Sequence, residues 1–121
     1  MKNKILSLLF FTAVTISAFA QDIKITEAKL GTDVQDRNLA GESSTFSKDS
    51  KVYFWIKTSG VTGSITVTWK HGSNSRNTSL NIGGSPWRTW AYATASASGE
   101  WTVTATDDKG TVLKEMKFTV Q

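Results

Sequence analysis

Lys51-Val52-Tyr53-Phe54-Trp55-Ile56-Lys57-Thr58 decides the fold. Val52, Phe54 and Ile56 fall on one side and Tyr53, Trp55 and Lys57 on the other, the period-two alternation of a strand with one buried face. Ser-Gly-Val-Thr-Gly at 59–63 reads as a turn. Ser64 to Lys70 then repeats the pattern, with Ile65, Val67 and Trp69 inward against Thr66, Thr68 and Lys70. Further on, Arg76 to Ile82 sends Leu80 and Ile82 inward, Trp87 to Thr94 is a strand apolar on both faces near its start, and Glu100 to Thr106 points Trp101, Val103 and Ala105 inward. Asp107-Asp108-Lys109-Gly110 is a hairpin signal. The last strand runs from Thr111 to Val120, where adjacent Val112 and Leu113 predict a bulge before Met116, Phe118 and Val120 share a face.

Upstream, Asp22 to Leu30 places Ile23 and Ile25 together, with Ala28 and Leu30 continuing after a register shift. Residues 31–50 are polar and predict the longest irregular stretch, anchored by Leu39 and Phe46. No segment carries a sustained 3.6-residue apolar period. About seven strands, with turns every 8–12 residues, predict an all-β, antiparallel, immunoglobulin-like β-sandwich. Trp69 and Trp101 are then expected to face one another in its core.

The first twenty residues read as an export signal. Lys2 and Lys4 form a positive n-region, Ile5 to Phe11 a short apolar core, and Ala18-Phe19-Ala20 a small-x-small cleavage pattern. The apolar run is about half of the ~20 residues a membrane-spanning helix needs. The expected organisation is a signal peptide over 1–20 and one β-sandwich domain over 21–121, exported and either periplasmic or secreted, with no transmembrane segment after processing. Losing Lys2 and Lys4 leaves 12 basic against 10 acidic side chains. Arg37, Arg76 and Arg88 are scattered, so no clustered basic face points to nucleic acid. Cysteine is absent, which excludes disulfides, thiolate metal sites and a cysteine nucleophile.

Catalytic material is thin. His71 is the single histidine and reads as an exposed turn residue, with no nucleophile-elbow serine or patterned aspartate to complete a triad. Asp107 and Asp108 lack the further oxygen ligands of a calcium loop and fit a turn. Asp33 and Asp36 lie close in sequence, with no spacing that sets two carboxylates across a groove. No motif asks for a cofactor or a metal, and the chain reads as not an enzyme. The sharpest local signal is Trp87-Arg88-Thr89-Trp90-Ala91-Tyr92. On a strand, Arg88, Trp90 and Tyr92 share one face and Trp87 takes the other. Aromatics beside a guanidinium can grip a flat or anionic ligand; equally, Arg88 can pack its stem over Trp90. Tyr53 and Trp55 also face away from the core, so Arg88, Trp90, Tyr92, Tyr53 and Trp55 form the candidate binding surface.

The order Asp36-Arg37, Val52-Tyr53-Phe54, Gly63, Trp69, Ile82-Gly83-Gly84, Trp87-Arg88-x-Trp90, Gly99-Glu100-Trp101-Thr102-Val103, Asp107, Gly110, Val112-Leu113 and Phe118 resembles the bacterial family of domain of unknown function 2914. The resemblance spans roughly residues 26–120. It departs at Val67, where members often carry histidine, and at Ala91, where they often carry serine. It implies a small, mostly β, envelope-associated domain and implies no activity. The expected function is therefore a non-catalytic binding domain of the cell envelope, recognising an envelope protein or a glycan. A carbohydrate-binding module is the alternative, an envelope-polymer hydrolase a second. Exposed sheet edges also leave homodimerisation open.

Overall fold

The structure, a computed structural model, describes residues 22–121. The expected signal peptide lies outside the described residues. The chain forms β1 (Ile23–Gln35), β2 (Asn38–Glu42), β3 (Thr45–Phe46), β4 (Lys51–Gly60), β5 (Gly63–His71), β6 (Asn74–Ile82), β7 (Trp87–Thr94), β8 (Gly99–Thr106) and β9 (Val112–Val120). They build two sheets, ordered β2-β1-β4-β7 and β3-β9-β8-β5-β6. The all-β sandwich expected from the alternation is what forms, with nine strands among the described residues where about seven are predicted.

Both extra strands come from residues 31–50, which are mostly paired and not irregular. β1 runs on for 13 residues. It pairs with β4 through Gly31, then with β2 through Gln35 opposite Asn38. Asp36 and Arg37 make the turn, both left-handed at φ 51° and 65°, the mirror-image turn whose twist matches that of the strands it joins. The short β3 pairs with β9 in parallel, so one pairing departs from the antiparallel expectation. Phe46 on β3 anchors it, edge-on to Phe118 at 5.5 Å.

Alternation elsewhere holds residue by residue. Val52, Phe54, Ile56, Ile65, Val67, Trp69 and Val103 are fully buried. Register shifts stand where they are predicted: Thr26 is extra between Ile25 and Glu27, and Leu113 is extra opposite Ala105 and Thr106. Trp69 and Trp101 do not face one another, however. They lie on β5 and β8, neighbours in one sheet, and so point the same way. Trp69 meets Phe54 of the opposite sheet edge-on at 6.5 Å and Phe118 at 6.1 Å. Trp101 stacks on Phe118 at 5.8 Å.

Asp107 caps the turn between β8 and β9. Its Oδ1 accepts the backbone N–H groups of Thr111 and Lys109, each at 2.9 Å. The Thr111 bond, joined by that of Lys109, holds the carboxyl below its ordinary value. A carboxyl lowered in the folded state stabilises the fold above its unfolded pKa, near 4, and loses that contribution as the pH falls through its folded value. The urea midpoint is therefore expected to fall between about pH 5 and pH 2. Asp107→Asn, which keeps the acceptor and removes the titration, flattens that fall; an unchanged pH profile in the variant refutes the assignment.

Candidate binding surface

Register brings all five residues of the expected surface onto the outer face of one sheet. Tyr53 is opposite Tyr92, Trp55 opposite Trp90, and Lys57 opposite Arg88. The β1–β2 hairpin then folds over part of that face. Trp55 is only 4% exposed. Its Nε1–H donates to the Arg37 carbonyl at 2.9 Å, and the Lys29 ammonium lies 5.8 Å from its ring centre. The Arg37 guanidinium sits 5.7 Å from the Trp87 ring centre and donates to the Arg88 carbonyl. Arg88 in turn donates from Nη1 to Asn38 Oδ1 at 2.8 Å. Trp55 and Arg88 thus belong to the seat of the hairpin. Tyr53 and Trp90 are half-buried and Tyr92 is 51% exposed. The two tyrosine rings lie 5.4 Å apart, with the Lys51 ammonium 4.9 Å from the Tyr92 ring.

Away from the hairpin, the sandwich is open along one side. β6 ends one sheet and β7 the other, and the connection 83–86 crosses between them. Each edge strand has a flank that pairs with no other strand among the described residues. β6 presents nine residues with a single charge, Arg76, and no proline. A groove of about 470 Å³ follows this side, lined by Arg76, Asn77, Thr78, Trp90, Ala91 and Tyr92. Arg76 also lines a second cavity of about 350 Å³ at one end, with Trp69, His71, Asn74, Ala93 and Trp101 among its walls. Ala93 is buried beside this cavity and Ala97 also lines it, while the buried Ala91 lines the groove.

His71 is not the exposed turn residue that the sequence predicts. It ends β5 half-buried, its ring 5.0 Å from that of Trp101. Its Nε2 lies 2.9 Å from the Ser98 carbonyl. A carbonyl only accepts, so the ring donates from Nε2. No carboxylate bonds to the ring among the described residues. Asp33 accepts from Val34 and Gln35 beside it in sequence, and Asp107 is used by its turn. Among the described residues no three His, Cys, Asp or Glu side chains gather closely enough to hold a metal ion, and no helix is long and apolar enough to cross a membrane.

Sequence reasoning missed Trp69, His71 and Arg76 as cavity residues. The available signal is the tight turn at Gly72-Ser73, which sets Arg76 opposite Trp69 and Asn74 opposite His71, together with the small Ala93 on β7.

No curated protein matches the chain. Among solved structures, the fold is similar to the CARDB domain of a protein from Pyrococcus furiosus, a crystal structure determined in complex with di-metal ions. The likeness has a TM-score of 0.51 at 13% identity, covering 83% of this chain and 93% of that one. At this identity it speaks for the two-sheet, immunoglobulin-like fold alone. Residues 63–120, from the first residue of β5 to the last of β9, match the family described as protein of unknown function (DUF2914), the family that the sequence resembles.

Proposed function

We propose that the chain is an exported, non-catalytic binding domain of the bacterial cell envelope that grips an extended protein segment along its open β6–β7 side. One observation carries this reading. The two sheets end side by side in long, almost uncharged edge strands, with a groove between them walled by Trp90 and Tyr92. An unpaired edge offers a row of backbone donors and acceptors to an added strand, and adjacent pockets select its side chains. The export pattern over 1–20 supports the envelope location. A glycan-stacking reading has less support, because Lys51 lies over the Tyr92 ring and Trp55 is covered.

The test is selection against display libraries of random nine-residue peptides, one arm ending in a free C terminus and one followed by a fixed tail. Enrichment in either arm, with affinity lowered about tenfold or more by Trp90→Ala or Tyr92→Ala, is the expected result. Both variants are checked by circular dichroism for an intact fold. Absence of enrichment in both arms, or binding unchanged in both variants, overturns the proposal. So does sedimentation showing a stable dimer that Asn77→Pro dissociates, because the edge is then already taken by a second copy.

A further inference from the structure

Tyrosine occurs twice in the chain, at positions 53 and 92, and the fold sets the two against each other. They are directly opposed across β4 and β7, with ring centres 5.4 Å apart and planes tilted by 39°. Both project from the outer face of the sheet. Tyr92 is 51% exposed and Tyr53 half-buried, so the pair is open to small oxidants. The Lys51 ammonium, 4.9 Å from the Tyr92 ring centre, helps to hold that ring in place. A cross-strand aromatic pair stabilises a sheet by contact alone. That role asks for two rings and is filled as well by phenylalanine; it does not require both phenols of the chain at one registered pair. The chain has no cysteine, so no disulfide ties its strands.

We propose that Tyr53 and Tyr92 are an oxidative cross-linking site that closes as an intramolecular dityrosine, a covalent tie between β4 and β7. The co-reactant is a peroxide working through a haem peroxidase, which removes electrons one at a time. Each phenol gives up one electron and one proton and becomes a phenoxyl radical. The unpaired electron is shared with the ring carbons beside the C–O bond, and the two rings couple there through a new C–C bond. Each coupled carbon then passes its hydrogen through solvent to its own oxygen, which restores two phenols. In sum the tyrosines lose two hydrogen atoms, and one hydrogen peroxide is reduced to two waters. The register holds opposed Cβ atoms about 5 Å apart, so coupling asks for side-chain rotation and no change of pairing. A radical on either ring therefore has its partner in the same molecule. The proposed export favours this chemistry, because compartments outside the cytosol are oxidising. Like a disulfide, the tie constrains the unfolded chain, here over the whole segment from β4 to β7. It goes beyond the strand-addition reading and does not depend on it.

The test treats dilute, purified protein with a haem peroxidase and one equivalent of hydrogen peroxide. The expected product is a single chain lighter by two hydrogens, with the blue fluorescence of dityrosine and a proteolytic fragment joining 53 to 92. Tyr53→Phe and Tyr92→Phe each abolish that product; both keep the ring, so the fold is retained. The double variant Tyr92→Phe with Lys117→Tyr keeps two tyrosines but places one on β9 of the other sheet. It is expected to link only between molecules. The linked parent melts roughly 5 °C or more above the unlinked one. Links between chains as the main product of the parent, or an intramolecular link that survives in either single variant, overturn the proposal. So do unlinked tyrosines beside oxygen added at Trp55 or Trp90, the next registered pair on the same face. An unshifted melting temperature overturns the link as a tie between the strands.

Discussion

Trp69→Ala is expected to lower the free energy of unfolding by about 3–5 kcal/mol, the range for removing a large aromatic from a packed core. The indole is almost wholly enclosed. It touches Phe54 across the sandwich and Phe118 within its own sheet, both edge-on, a geometry that adds to simple burial. Domains of this size are stable by roughly 5–15 kcal/mol. The loss is therefore a third or more of the margin in most of that range, and the melting temperature is expected to fall by roughly 15 °C or more. Urea titration with unchanged m-value is the measurement. A loss below about 1 kcal/mol refutes the description of Trp69 as packed between Phe54 and Phe118 in the core.

Trp55→Ala is the second large effect, expected at about 3 kcal/mol. Its consequence is local as well as global, because the hairpin tip rests on this ring. Trypsin cleavage after Arg37 in the folded protein is expected to accelerate at least tenfold, since the Arg37 carbonyl loses its donor and the turn loses its seat. Arg88, bonded to Asn38, is released with it. A variant as stable as the parent, and as resistant to trypsin, shows that the hairpin does not depend on Trp55. Loss of peptide binding without loss of stability returns Trp55 to the recognition surface.

The two tryptophans mark where sequence reasoning reaches and where it stops. Alternation along 51–58 and 64–70 assigns each residue to a face, because one side of each strand meets the core and the other does not. Phe54, Ile65 and Val67 follow directly. Trp55 is placed on the outer face correctly, and its burial is supplied from elsewhere, by a hairpin of mostly polar residues whose turn is built from Asp36 and Arg37. A left-handed arginine carries no turn signature that composition reveals. Trp69 and Trp101 show a different gap: a strand pattern gives inward or outward, never which sheet the strand joins. The candidate site was half legible for the same reason. Trp90 and Tyr92 stand on the outer face where alternation puts them, whereas the groove they border and the Arg76–Trp69 pairing depend on which strands end the sheets and on strand register.

The open β6 strand has a cost for the protein before it meets any partner. Nine residues with one charge and no proline are a template for accidental pairing between copies, as well as for a proper guest. Crowded, unoccupied molecules are thus the ones most exposed to fibre-like association, and an occupied edge is a protected one. On the proposed strand-addition reading, solubility and recognition are opposite readings of a single backbone, and shelf life at high concentration lengthens when a bound peptide covers the edge.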